Sequence, residues 1–263
     1  MITSGLFVVF YLLAVTTQVL GIATSLRDLS LSLGDFVVNN KGQECATPYS
    51  PKADHFMKEE FERDRVRRGV MRRQIADPTS SRPNVIFDVF INAISANMSY
   101  QGGWVTQDML NMYGTYFRKG DIKALNINIS GFTNSGGSNG FSLPPIYYQN
   151  YPKIDGVYIR WDGLPGGTSL DRQGSTVIHE TGHWFSLWHT FEGGCNGIGD
   201  EMADTPAEAE AAFGCPVGRD SCPDAEGLDP IHNYMDYTNE ACRESFSPAQ
   251  VDRMHQAIRM YRR

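Results

Sequence analysis

The chain has 263 residues, 41% hydrophobic, 11% aromatic and 20% charged, a globular mixture that excludes a disordered, collagenous or coiled-coil protein. Its net charge of −7 is unevenly placed: residues 1–73 hold 10 Lys+Arg and 8 Asp+Glu, and the rest hold 13 and 22, a net of −9. That acidic balance argues against non-specific binding to nucleic acid or to an anionic membrane.

From Leu6 to Val15 the chain is unbroken apolar, followed by Thr16, Thr17 and Gln18 and then by small Gly21 and Ala23. A bilayer span needs about 20 apolar residues, so this run is too short to cross. It predicts a secretory signal peptide over 1–23, with a buried N-terminal helix as the alternative. Residues 24–73 are polar and end in two basic clusters, Arg65-Val66-Arg67-Arg68 and Arg72-Arg73. They read either as a solvated helical face or as a propeptide cut at Arg68 or Arg73. Residues 74–263 then form the main domain.

Within that domain Val85–Ile91 alternates and is rich in β-branched and aromatic residues, which predicts a strand. Val105, Met109, Met112 and Tyr116 fall on one apolar helix face. Ile122–Ile129 and Val157–Trp161 predict further strands, and 131–140, GFTNSGGSNG, predicts a loop. A helix is expected from about Asp171 to Phe185, followed by an aperiodic stretch rich in Gly, Pro and Asp. Ser247, Pro248 and Gln250 form an N-cap, a proline at the first helical position and a capping-box glutamine. The helix behind them would bury Val251, Met254, Ile258 and Tyr261. The expected fold is α/β (α+β): a mixed, twisted sheet with helices, then an irregular lobe and a C-terminal helix.

Residues 179–189 read HETGHWFSLWH. Four residues advance a helix by about 400°, so His179 and His183 share one face, about 6 Å apart along the axis. That spacing lets both imidazoles reach one zinc ion, and Glu180 beside the first can act as general base toward a metal-activated water. His189 can be the third ligand only if the helix stops near residue 186. A continuing helix would carry it about 240° around and about 9 Å away from His183.

This pattern resembles the metzincin metalloproteases, and the wider context resembles their pappalysin-like branch, which includes secreted fungal extracellular metalloproteases. The matching stretches are LPGGTS (164–169), HETGHWFSLWHTFEGGC (179–195), GDEMADTPA (200–207), DSCP (220–223), DPIHNYMDYTNEAC (229–242) and SFSPAQVDRM (245–254). The resemblance implies a metzincin-type zincin: an upper sheet subdomain, a lower irregular subdomain stapled by disulfides, and a peptidase cleft between them. It implies that Met235 lies in a Met-turn beneath the metal and that Tyr237 stabilises the oxyanion. The family places glycine where this chain has Ser186, at a helix end with positive φ. Ser186 is therefore expected in a left-handed turn costing about 1–2 kcal/mol.

Cys195, Cys215, Cys222 and Cys242 all fall in the aperiodic lobe, and four cysteines allow three pairings. The resemblance implies Cys195–Cys222 and Cys215–Cys242; a second zinc site is the rival reading, against which an oxidising compartment argues. Cys45 is left over and reads either as a switch that ligates the zinc until the propeptide is removed or as an incidental thiol. Asp200, Asp204 and Thr205 sit in a loop of calcium-binding character, or of a merely solvated acidic kind. Asn97 and Asn128 begin glycosylation sequons. Family members that favour a basic residue after the scissile bond carry Asp before the final Cys of this region, whereas this chain has Ala241 preceded by Glu240.

The expected function is a secreted, monomeric zinc endopeptidase acting on extracellular proteins and peptides, with one catalytic Zn2+ and a candidate Ca2+ site. Neither nucleic acid nor membrane is an expected partner. The alternative from another class is a catalytically weak metal-binding protein, an adhesin or decoy.

Overall fold

The computed structural model describes residues 45, 55–64, 87–93, 110, 113–130, 138–164 and 174–263. The expected signal peptide and both arginine clusters lie outside them. Helix α1 covers residues 55–64. Four strands follow: β1 (Asp88–Ala93), β2 (Ala124–Ser130), β3 (Gly140–Ser142) and β4 (Val157–Arg160). Helices α2 (Ser175–Trp184) and α3 (Pro248–Tyr261) complete the regular elements that position the site.

The strands form one mixed sheet in the order β1-β2-β4-β3, parallel except for β3, which runs antiparallel to β4. Alternation along β4 divides the core. Val157 and Ile159 face a cluster with Leu125, Ile127, Trp184, Met235 and Met254. Tyr158, between them, faces the other side with Phe141, Tyr113 and Trp188. Phe141 and Tyr158, paired in register across the two strands, stack at 4.4 Å.

Several expectations need correction. Of the strand expected at 85–91, residues 85 and 86 lie outside the described residues and β1 runs from Asp88 on to Ala93, and β3 begins inside the segment read as a loop. Glycine- and serine-rich sequence carries no strand signal of its own, so β3 is imposed by pairing with β4. Of the expected helix face, Val105, Met109 and Met112 lie outside the described residues, and Tyr116 is 69% exposed on a short π-helical turn, Tyr113–Phe117. Asn128 is buried in β2 and accepts a hydrogen bond from Asn92 at 2.9 Å, so its sequon offers no surface amide in the folded chain. Asn97 lies outside the described residues.

Helix α1 is part of the core. Met57 and Phe61, four residues apart on one face, are buried against Leu110, Tyr113 and Ala257. Polar contacts to α3 fix its register: Gln256 donates to the Phe61 carbonyl at 2.7 Å, and Tyr261 donates to Glu60 at 2.6 Å. The Arg253 guanidinium lies over the Phe61 ring.

Helix α3 begins as its sequence predicts. The Ser247 hydroxyl accepts from Gln250 N–H and the Gln250 side chain accepts from Ser247 N–H. It ends on a buried charge pair. Arg262 donates from one nitrogen to both oxygens of Asp155, at 2.7 and 2.8 Å, and its guanidinium stacks on Trp184. Trp184 donates to the same carboxylate at 3.0 Å. Asp155 thus ties the C-terminal helix, the sheet and α2 together with almost no exposure to water. The irregular lobe is held by the disulfides Cys195–Cys222 and Cys215–Cys242. Each spans 27 residues, which in the chain-entropy model contributes about 3–4 kcal/mol.

Removing Asp155 would leave Arg262 as an uncompensated buried cation. Asp155→Ala should lower the unfolding free energy by about 3–5 kcal/mol, read by urea denaturation. A loss below about 1 kcal/mol would show that the pair is dispensable.

Candidate metal centre

Helix α2 is buried on nearly every face, which explains its weak amphipathic pattern. It carries His179, Glu180 and His183, and its C-terminal turn determines whether His189 can join them. Ser186 has φ of 77°, the left-handed conformation expected of this position. Ser186 N–H donates to the His183 carbonyl at 2.8 Å and Leu187 N–H to the Gly182 carbonyl at 3.0 Å. These two bonds form a Schellman motif with serine where glycine usually sits. The reversal carries the chain back, and His189 arrives beside His183.

Nε2 of His183 lies 3.2 Å from Nε2 of His179 and 3.1 Å from Nε2 of His189. The Nδ1 atoms of the helical pair face outward: His179 donates to the Tyr234 carbonyl and His183 to the Leu187 carbonyl, both at 2.7 Å. A carbonyl can only accept, so in the neutral ring each Nε2 carries a lone pair. Burial, followed by the neighbouring histidines, holds His179 well below its ordinary pKa, and burial does the same for His183. Burial, with the nearby Arg243 cation second, pushes His189 down to about 3. Neutral rings with mutually facing lone pairs repel one another, and a metal cation relieves that repulsion. Tetrahedral zinc bonds of 2.0–2.1 Å separate ligand nitrogens by about 3.3 Å, close to the spacing seen. The donor set fits a metal.

The sulfur of Cys45 belongs to the same group: its ligand atom and those of the three histidines all lie within 4.8 Å of one another. Cys45 is buried and forms a parallel bridge to Gly140 at the start of β3. Tyr237 places its hydroxyl 3.2 Å from His189 Nε2 and 3.4 Å from the Cys45 carbonyl. Glu180 is fully buried against β3, where a Cβ built on Gly140 would come within 3.1 Å of its carboxylate.

Met235 forms the floor. It is fully buried, and a Cβ on Gly182 would lie 2.5 Å from its sulfur, so the glycine inside HETGH is what admits the methionine. Asn233 holds the turn by accepting from Met235 N–H and donating to Gln250, the capping residue of α3.

Of the expected calcium residues, Asp200 and Thr205 meet in a hydrogen bond, and Asp200 also accepts from Met202 N–H. The Asp204 carboxylate is engaged at the start of α3, where it accepts from Ser247 and Ala249 N–H. Glu240, beside the position that varies with substrate preference in the family, accepts from Gly174 and Ser175 N–H at 2.9 Å and caps α2. Gly182, Gly140 and this cap escaped the sequence reading, because each depends on a contact distant in sequence.

Comparison with known proteins agrees with this geometry. The family model described as pregnancy-associated plasma protein-A matches residues 126–259. An extracellular metalloprotease of Pyricularia oryzae is 48% identical over 56% of this chain and 53% of its own length. An extracellular metalloprotease of Podospora anserina is 37% identical over 66% of this chain and 73% of its own. The chain spans about half the length of the first curated relatives it matches. Among solved structures, a promirolysin mutant of Tannerella forsythia is similar with a TM-score of 0.51 and 29% identity, covering 59% of this chain and 54% of that one. Mature mirolysin in complex with a cleaved peptide gives a TM-score of 0.50 at 29% identity, over 59% and 65%.

The left-handed turn can be tested directly. Ser186→Gly should raise the thermal stability of the chain by about 1 kcal/mol, because glycine adopts φ of this sign without the Cβ penalty. A lower melting temperature would mean that contacts of the serine hydroxyl outweigh the backbone strain.

Proposed function

Since the chain belongs to the peptidase family described by pregnancy-associated plasma protein-A, we propose that it is a secreted zinc endopeptidase made as a latent precursor. The observation that carries this reading is the convergence of three neutral imidazole nitrogens on one point, with a buried carboxylate on the same helix. The extracellular metalloproteases among its relatives support secretion and proteolysis.

His179, His183 and His189 would hold the metal through Nε2. When bound there, zinc would polarise the scissile carbonyl and acidify a water molecule. Glu180 takes the proton of the attacking water on a carboxylate oxygen and passes it to the leaving amine. The Tyr237 hydroxyl donates to the substrate oxygen as that oxygen gains charge. Met235 fixes the floor from below and keeps the helical pair of histidines in place. Substrates are proteins or peptides entered along the edge strand β3. The acidic loop at Asp200 and Asp204 remains a proposed calcium region of secondary importance.

For latency, we assign residues 1–23 to the signal peptide, 24–73 to a propeptide and 74–263 to the catalytic domain. Cys45, whose sulfur shares the histidine group, would occupy the fourth ligand position and keep water out. Processing at Arg68 or Arg73 separates it covalently from the domain.

Glu180→Gln should retain zinc and the wild-type melting temperature while losing about 10²–10⁴-fold in casein hydrolysis, measured with metal content on the same sample. Chelator should abolish the activity of the parent. Near-normal turnover by the zinc-replete variant would refute the assigned base. Activity that survives complete metal removal would refute the metalloenzyme reading.

The uncut precursor carrying Cys45→Ser should hydrolyse casein where the uncut parent does not, since a hydroxyl is a far poorer zinc ligand than a thiolate. Equal activity of the two precursors would show that Cys45 does not gate the metal.

A further inference from the structure

His189 differs from the other two histidines in how its ring is held. His179 and His183 stand on α2, and each anchors Nδ1 on a backbone carbonyl at 2.7 Å. His189 lies beyond the helix, in the segment that follows the left-handed turn at Ser186. No backbone carbonyl is hydrogen-bonded to its Nδ1 among the described residues. The group facing that atom is Glu192, whose Oε2 is 3.7 Å away.

The local chain is arranged to keep the carboxylate there. Glu192 N–H donates to the His189 carbonyl at 3.1 Å, closing a tight turn that brings the two side chains to the same side. Only 20% of the Glu192 side chain is exposed. The intervening Phe191 ring lies nearly parallel to the His189 ring, with centroids 4.7 Å apart and planes 8° apart. Tyr237 meets the imidazole edge-on from another direction. These contacts set the plane of the ring. Ring stacking alone cannot choose which edge points at the other histidines, because a half-turn about the Cβ–Cγ bond keeps the plane and exchanges Nδ1 for a carbon; the Tyr237 hydroxyl, 3.2 Å from Nε2, favours the observed edge from one side.

We infer that Glu192 reinforces that choice: its carboxylate, facing Nδ1 from 3.7 Å and so beyond direct hydrogen-bond reach, draws the ring proton to that edge and leaves the lone pair of Nε2 for the metal. It is a positioning residue that never touches substrate. The inference rests on the three-histidine metal reading above. Metal-ligating histidines usually donate their second ring N–H to a carboxylate or carbonyl, and losing that acceptor typically costs 10–100-fold in metal affinity. His179 and His183 draw theirs from the backbone, which no substitution can remove. His189 alone depends on a side chain, so the third ligand is the one that sequence change at a distance of three residues can detune.

The test is a zinc competition titration of the full chain, comparing the parent with Glu192→Ala and Glu192→Gln, alongside thermal melts of the metal-free proteins. Glu192→Gln keeps an accepting oxygen on a side chain of the same length. The expected result is about a 10–100-fold loss of zinc affinity for Glu192→Ala and about threefold or less for Glu192→Gln, with metal-free melting unchanged. The visible absorption bands of the Co2+-loaded Glu192→Ala protein should also shift, reporting a distorted ligand set. Unchanged affinity in Glu192→Ala would overturn the inference while leaving the metal site itself intact. Equal losses in both variants would overturn it too, because an acceptor would then not suffice. A fall in metal-free melting that matches the affinity loss would make Glu192 a structural residue instead. Absence of tight zinc binding by the parent would sink the underlying metal reading rather than the role of Glu192.

Discussion

Three neutral imidazoles, with Nε2 of His183 3.1–3.2 Å from Nε2 of each of the other two, form an arrangement that repels itself. In solution such a cluster would take up a proton or fly apart. Here burial makes protonation costly, which is why all three rings are pushed far below their ordinary pKa. The remaining relief is a cation, and much of the surrounding structure exists to prevent the alternative of rings turning away. The Tyr234 and Leu187 carbonyls lock the outer edges of the helical pair. The left-handed Ser186 delivers the third ring, and Met235 blocks movement downward.

The shell that holds the rings is itself held from elsewhere. Tyr234 belongs to the turn fixed by Asn233, and Asn233 donates to Gln250. The same Gln250 oxygen accepts from Ser247 N–H in the capping box of α3. A short capping pattern near the end of the chain therefore stabilises more than its own helix. It sets the height of the turn against which His179 is oriented. At the far end of α3, Arg262 reaches Asp155 and donates to the Trp184 carbonyl, the last residue of α2. Both ends of α3 thus brace the helix that carries the histidines.

What the sequence made legible follows from how local each signal is. His179 and His183 are related by helical geometry alone, and the capping box of α3 lies within four residues. Strands β2 and β4 are central, and their runs of Leu, Ile, Val and Tyr announce it. The stop of α2 near Ser186 was required by ligand geometry and by family resemblance, since serine itself carries no left-handed signal. Features set by partners far away were silent. Strand β3 has no propensity and forms because β4 offers an edge. Tyr116 satisfied the helical period, but the period cannot say which turn meets the core. Asp155 and Arg262, 107 residues apart, read separately as two ordinary surface charges. The burial of Asn128 was silent for the same reason, since only the sheet reveals that it is enclosed.

Helix α1 was legible only as a charged surface, because two apolar residues among acids and bases make a thin stripe. Its burial bears on the latency proposed above. The N-terminal part of the chain grips the domain at two places with different physics. At Cys45 a sulfur enters a polar cluster, a contact whose strength depends on metal and on thiolate. At Met57 and Phe61 apolar side chains fill the core, a contact indifferent to metal. Cutting at Arg68 or Arg73, as proposed, would sever neither grip. It would convert an intramolecular contact, with an effective concentration of about millimolar for short linkers, into one that dilution can dissolve. Departure of the segment would then expose the apolar site under α1, which opposes release. In that reading, access to the metal site and core integrity would be coupled through α1. Under the proposed processing, the covalent cut and the loss of the cysteine would be separate events, the burial of Met57 and Phe61 opposing the second.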